Sequence, residues 1–156
     1  MWGAFLRFQV EKFIDVFPEM APMFEAQFDE LATLKQHIRK IDPDLELYAH
    51  LEATNKLHVV IARENNELAG YFVGVVTPHP HYKSTLMCSA DLYYMSLQHR
   101  KAQNGILFIQ AIERSLKARG VQLMVMGTKL SKNLGFIYDH LGYKETDHVW
   151  RKWIGE

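Results

Sequence analysis

The sequence predicts a mixed α/β fold, a mostly antiparallel sheet with helices on both faces, and three observations carry that prediction. Apolar residues recur at three- and four-residue steps from Met20 to Leu34, the period of an amphipathic helix. Two β-rich runs, residues 57–63 (LHVVIAR) and 68–77 (LAGYFVGVVT), then flank the polar turn ENNE. A strand, an amphipathic helix and a second strand follow over residues 89–128, an order that implies a parallel, right-handed crossover.

Residues 1–8 (MWGAFLRF) are short and apolar, and read either as an edge strand or as a packed arm. Residues 10–17 are compatible with a short helix. Pro18 suits the first turn of the next one, and Met20, Met23, Phe24, Phe28, Leu31 and Leu34 make residues 18–35 the main N-terminal helix. Asp42-Pro43-Asp44 is a helix-start signal for residues 45–54, with Leu47, Tyr48 and Leu51 as the apolar face. After the hairpin, residues 78–82 (PHPHY) read as a loop, because two prolines in three residues interrupt a ladder. Residues 85–95 return as a third strand, long enough to bend midway.

In the crossover helix, Ile106, Ile109, Ile112 and Leu116, with Phe108 alongside, share one face, and Gln110, Glu113, Arg114 and Lys117 take the other. Gly120 supplies its left-handed stop. Residues 121–128 (VQLMVMGT) read as the parallel strand, 130–141 as a helix stopped by Gly142, and 143–153 as a last returning strand.

A chain of 156 residues is expected to form one domain with a substantial core. Its 18 basic residues balance 18 acidic ones, which argues against a protein whose business is tracking a nucleic-acid backbone. Cys88 is the only cysteine, so there is no intramolecular disulfide and no thiolate metal cluster, which fits a reducing compartment. No pair among the eight histidines has a spacing that suits a metal. The longest apolar run, near residues 71–76, has the length of a strand rather than a membrane span, and the N-terminus lacks a charged leader before a long apolar core. A soluble cytoplasmic protein is expected.

The chemistry gathers where the strand at residues 90–95 hands the chain, through Gln98, His99, Arg100 and Lys101, to the crossover helix. The unpaired N–H groups and positive dipole end of a helix start make a seat for phosphate, although an ordinary strand-to-helix turn with solvated basic residues has the same composition. The surroundings add weight. Arg100-x-x-Gln103-x-Gly105, preceded by DLYYM and followed by YDHLGY at residues 138–143, resembles the GNAT family of acyl-CoA-dependent N-acyltransferases. The family's loop reads Gln/Arg-x-x-Gly-x-Gly/Ala; Arg100 and Gly105 match, and Gln103 stands at the first glycine. The resemblance covers roughly residues 57–153, and its nearest look-alikes are the small GNAT proteins that phages often encode.

That resemblance implies a sheet whose central parallel pair splays apart, with the pantetheine arm of acetyl-CoA in the opening. Backbone groups of Tyr93, Tyr94, Met95 and Leu97 would then bond the pantetheine amides and polarise the thioester carbonyl. The pyrophosphate would meet the N–H groups of Ala102, Gln103, Asn104, Gly105 and Ile106, with Arg100 and Lys101 as cations. Ser131 falls where many members carry an asparagine that touches the cofactor, a contact that Asn133 would replace.

An acceptor amine of ordinary pKa about 10.4 must lose a proton before it attacks. Asp91 is the best-placed carboxylate for that, with His79, His81 and His99 as weaker bases; a strand aspartate paired to a lysine is the plain alternative. Tyr138 matches the tyrosine that donates to the departing sulfur, the alternative being a core tyrosine. Cys88 as a nucleophile has little support, because an isolated strand cysteine is commonly buried and inert.

The resulting expectation is an acetyl-CoA-dependent N-acetyltransferase working by direct attack of a small-molecule or peptide amine. The pocket's far wall would come from the helices of residues 18–54 and the loop 78–84. A non-catalytic GNAT-shaped protein that holds acyl-CoA or a protein partner is the competing class. Neither nucleic acid nor membrane is an expected partner, and a homodimer is compatible with such a domain.

Overall fold

The computed structural model describes residues 5–156. The first four residues of the apolar N-terminal segment therefore lie outside the described residues, and the segment continues into an edge strand, β1 (Arg7–Val10). It pairs antiparallel with β2 (Leu57–Glu64), which forms a hairpin with β3 (Glu67–His79). Asn65 and Asn66, at φ 50° and 68°, supply the two consecutive left-handed residues that a tight hairpin turn requires. Next come β4 (Tyr82–Met95), antiparallel to β3, and β5 (Leu123–Val125), parallel to β4, so the sheet order is the order of the chain.

Helix α1 (Phe13–Leu31) is one continuous element rather than a short helix followed by residues 18–35. It runs through both Pro18 and Pro22, each of which removes one intrahelical hydrogen bond. Burial of Phe13, Val16, Met20 and Phe24 against the sheet offsets that loss. Lys12 provides no side-chain cap. The carboxylate of Glu52 does so from a distance, accepting from Phe13 N at 2.6 Å and Ile14 N at 3.4 Å, and so ties α1 to α2 (Leu45–Ala53). Helix α2 starts as expected, with Asp44 accepting from Leu47 N at 2.9 Å.

The PHPHY segment is not a loop. Strand β3 continues through Pro78 and His79, and only Pro80 and His81 turn. Strand β2 ends at Leu57 opposite Val75, so Pro78 has a strand on one side only and tolerates its missing N–H as an edge residue does. The expected bend in β4 is a bulge: Leu92 pairs with Val73 and Ala90 with Gly74, which leaves Asp91 without a partner in β3.

Helix α3 (Ala102–Ala118) ends as predicted, with Gly120 at φ 87° and Val121 N bonded back to Leu116 O at 3.0 Å. Two later expectations fail. The helix expected over residues 130–141 is only α4 (Gly135–His140), because Thr128 Oγ1 accepts from Leu134 N at 2.8 Å and donates to Lys132 O at 3.1 Å, fixing 128–134 as a loop. The strand expected over residues 143–153 does not form; β5 is three residues long and offers little edge, and Trp153 instead stacks on His37 at 5.0 Å.

The sheet separates two cores. Helices α1 and α2 cover Val59, Ile61, Tyr71, Val73 and Tyr94; α3 covers Val60, Phe72, Cys88 and Met95 on the opposite face. Helix α4 seats Ile137 and Tyr138 against Ile109 of α3. Among the described residues, no helix is long and apolar enough to cross a membrane, and no group of three metal-ligating side chains occurs.

Candidate active site

Among the described residues the sheet has one parallel pair, and it is hydrogen-bonded at one end only. Met87, Cys88 and Ser89 of β4 pair with Leu123, Met124 and Val125 of β5; beyond them β4 runs on to Met95 with no described strand beside it on that edge. The slot so formed leads from the bulge at Asp91 to the start of α3. Gly105 N is the first amide of α3 to find a helical acceptor, Lys101 O at 3.1 Å, so the N–H groups of Ala102, Gln103 and Asn104 precede the ladder. Asn104 Nδ2 donates to His99 O at 2.9 Å, which fixes its side chain over the preceding turn.

Gly105 is where α3 meets α4. A methyl group there would lie 3.0 Å from Ile137 Cδ1 and 3.7 Å from Tyr93 Oη. The helices pack closely here, so an added methyl would have to displace the end of the Ile137 side chain. On the α1 side, a cavity of about 420 Å³ is bounded by Pro22, Met23 and Ala26 and, across from them, by Tyr94, Ser96, Leu97 and Gln98.

Asp91 lies on the helix side of the slot and accepts from Tyr48 Oη at 2.5 Å. Tyr48 is held by its stack on Phe13 at 4.4 Å, and burial followed by the bond to Asp91 pushes its phenol well above the ordinary range. The alternative of a strand aspartate paired to a lysine is not what the structure shows: the partner is a tyrosine 43 residues away.

Tyr138 sits on the other side, packed among Ile109, Ile137 and Tyr143, with its hydroxyl donating to Gly127 O at 2.9 Å just past the end of β5. Burial raises its pKa to about 12, so the hydroxyl keeps its proton at neutral pH. Ser131 and Asn133 lie in the exposed loop before α4, where Asn133 Oδ1 accepts from Gly135 N at 2.7 Å.

Arg100, expected as a cation for the pyrophosphate, is already engaged by the protein itself. Its Nε donates to Met95 O at 2.7 Å, its two terminal nitrogens fork onto Glu30 of α1 at 2.5 and 2.7 Å, and the guanidinium lies 5.0 Å from the centre of the Tyr94 ring. Met95 O is thereby occupied, and Ser96 N bonds to Ala69 O at 2.9 Å, which narrows the set of free backbone groups expected from Tyr93 to Leu97. Lys132 Nζ stands 3.8 Å from the same Glu30 carboxylate.

His99 is not a solvated loop histidine: it is buried, bonded to Ser96 Oγ at 2.6 Å and Glu64 Oε2 at 3.0 Å, and braces the turn before α3. His79 and His81 sit at the β3–β4 hairpin tip, in partly and fully exposed positions. Cys88 is buried and its thiol is pushed up to about 11 by that burial, the opposite of what a nucleophile needs. The residues that sequence reasoning missed are Tyr48, Glu30 and Lys132. Tyr48 was visible only as one member of an apolar face, and nothing local marks the two charges as partners of the turn before α3.

No family model and no curated relative matches this chain. Solved structures do. An aminoglycoside acetyltransferase from an uncultured soil metagenomic sample superposes with a TM-score of 0.73 at 13% identity, over 97% of this chain and 99% of that one. The ribosomal-protein-alanine N-acetyltransferase of Brucella melitensis biovar Abortus 2308 gives 0.71 at 16% identity, over 97% of each chain. A predicted acetyltransferase of Clostridium acetobutylicum, solved with acetyl-CoA, gives 0.64 at 18% identity, over 96% of this chain and 97% of its own. With its bulged β4, its parallel pair open at the end nearest α3 and these likenesses over nearly its whole length, the chain has the fold of the GNAT acetyltransferases.

Proposed function

We propose that the protein is an acetyl-CoA-dependent N-acetyltransferase that acts on a small-molecule or peptide amine. The observation that carries this reading is the slot itself: β4 and β5 separate beyond Ser89 and Val125, and the opening runs between a bulge carboxylate and the unladdered amides at the start of α3. The groups present fit acetyl-CoA. The amides of Ala102, Gln103 and Asn104, with Lys101 beside them, suit a pyrophosphate. The free edge of β4 suits an extended chain that bonds as a strand would. Acetyl-CoA supplies the acyl group as a thioester; the chain's own groups orient it and manage the protons.

Asp91 faces the helical side, where an acceptor amine would enter, and receives a proton from it directly or through water. Tyr48 fixes the carboxylate by donating to one oxygen and leaves the other for the amine. Tyr138, with a pKa of about 12, serves the departing thiolate better by donating a hydrogen bond than by complete transfer of its proton. It does so by exchanging Gly127 O for sulfur as its acceptor.

The test is thiol release from acetyl-CoA over a panel comprising an aminoglycoside, an amino-sugar phosphate and a peptide with a free N-terminus. Turnover on at least one amine is expected, and Asp91→Asn should lower it about a hundredfold with coenzyme binding unchanged. Equal turnover of parent and variant across pH would remove Asp91 from the reaction. Tyr138→Phe keeps the ring in its pocket and should lower turnover at saturating coenzyme by up to about a hundredfold, the low end for general-acid help to a tolerable leaving group. Turnover within about twofold of the parent would place Tyr138 in the core alone.

A second reading has its own observation. Arg100 is engaged by Glu30, and Gln103 replaces the loop's first glycine, both of which suit a protein that holds a coenzyme or partner without turnover. Tight binding of acetyl-CoA with no thiol release on any amine would favour it.

A further inference from the structure

Three charged side chains from three separate segments meet beside the start of α3. Glu30 lies in the last turn of α1, Arg100 in the turn before α3, and Lys132 in the loop before α4. Both cations converge on one carboxylate: Arg100 forks onto it at 2.5 and 2.7 Å, and Lys132 Nζ stands 3.8 Å from Oε1. The pair is partly shielded, with the Arg100 side chain 28% and the Glu30 side chain 19% exposed. Glu30 is held below the usual carboxylate range, first by its bonds to Arg100. One turn before it, Ala26 lines the cavity that Ser96, Leu97 and Gln98 close from the other side.

This arrangement has the chemistry of a phosphate site with a carboxylate in the phosphate's place. A forked guanidinium, an ammonium at a second corner and the amides of Ala102, Gln103 and Asn104 nearby are donors without an acceptor of their own apart from Glu30 and the Met95 carbonyl. A carboxylate carries one negative charge, and a polyphosphate carries several. The incoming anion therefore competes with Glu30 for the same two cations.

We propose that Glu30 is a resident counter-ion that occupies the polyphosphate-binding cations Arg100 and Lys132 and thereby sets the affinity of this chain for a nucleotide-bearing polyphosphate. The inference deepens the acetyltransferase reading by naming which groups receive the coenzyme's phosphates and what they must release first. It also accounts for Gln103, because phosphates drawn toward Arg100 and Lys132 do not need the close approach to the helix start that a glycine permits.

The experiment is calorimetric titration of parent and Glu30→Gln with coenzyme A, with inorganic triphosphate and with pantetheine, at several salt concentrations. Glutamine keeps an acceptor for Arg100 and removes the charge. Glu30→Gln is expected to bind coenzyme A and triphosphate about tenfold more tightly, to lose that affinity more steeply with salt because two cations are released to the phosphates, and to bind pantetheine as the parent does. In the double variant Glu30→Gln/Lys132→Gln, part of the gain should disappear.

Unchanged or weaker binding of both phosphate probes by Glu30→Gln, with thermal stability like the parent's, overturns the proposal. So does a fall in thermal stability accompanied by weaker binding, which would make Glu30 a strut for α3. Tighter triphosphate binding with no coenzyme A binding in either protein would keep the counter-ion and remove the acetyltransferase reading. No binding of either probe by either protein would remove both.

Discussion

Gly70→Ala is expected to destabilise the protein by about 3 kcal/mol or more, the upper range for forcing volume into a filled site. A methyl group at Gly70 would lie 2.7 Å from Tyr94 O and 3.2 Å from Met95 Cα. Both are backbone atoms of β4, so no rotamer change relieves the clash and the two strands must part. They would part where Met95 O receives Arg100 Nε, at the mouth of the slot, so the coenzyme binding proposed above should fall with stability. Gly105→Ala makes a useful contrast, since its added methyl meets the far end of the Ile137 side chain rather than backbone, and a smaller loss is expected. Urea unfolding of the two variants beside the parent checks this; a Gly70→Ala midpoint equal to that of the parent would show that β3 and β4 separate without cost.

The protein should also lose about 3 kcal/mol of stability as pH falls from 6.5 to 4, through His58 alone. His58 is 4% exposed, between β2 and α3, and its pKa is lowered to about 4 by burial first and by Arg119 second. Ser115 Oγ donates to Ile112 O at 2.8 Å and so must accept from His58 Nε2, 2.7 Å away; a second proton would go to Nδ1, which faces Arg119 Nη1 at 3.4 Å. Above pH 6.5 the imidazole is neutral in both folded and unfolded chains, and the stability is fully present. Between 6.5 and about 4 the unfolded chain binds a proton that the fold refuses, so stability falls with pH; below about 4 both bind it and the loss is complete. At roughly 1.4 kcal/mol per pH unit, that window amounts to about 3 kcal/mol.

The carboxylates Glu11, Glu19 and Glu30, whose pKa values are lowered from 4.5 chiefly by arginine partners, begin to cost stability only in the lower part of the range. Denaturant unfolding between about pH 7 and 5, run on the parent beside His58→Gln, therefore reads this histidine. A flat profile there, or the same slope in His58→Gln, would show that the imidazole is protonated inside the fold.

What the sequence makes legible is local, and what it hides is long-range. The α3 stripe, the Asp44 start, the Gly120 stop and the Asn65-Asn66 turn were readable because each signal lies within a few residues of its effect. The same locality explains the failures. Proline chemistry splits α1 into two pieces, yet the buried row from Phe13 to Phe24 holds it as one helix. The β-like pattern of residues 143–153 speaks for a strand, but a strand needs an edge, and that edge is set by β5, about twenty residues earlier. The site divides in the same way. The turn into α3 was visible from its composition, whereas Glu30 meets Arg100 across 70 residues and Tyr48 meets Asp91 across 43, and neither spacing has a period that a sequence displays.

The short hold between β4 and β5 has a mechanical meaning. The wall is hydrogen-bonded to β4 through three consecutive residue pairs only, and beyond them it is held by packing of Met126 rather than by a ladder. Gly127 stands past the last of those pairs, and the Tyr138 hydroxyl is fastened to its carbonyl. The width of the slot at that end and the position of the Tyr138 hydroxyl are thus coupled: an occupant that displaced Gly127 would take the phenol's acceptor with it.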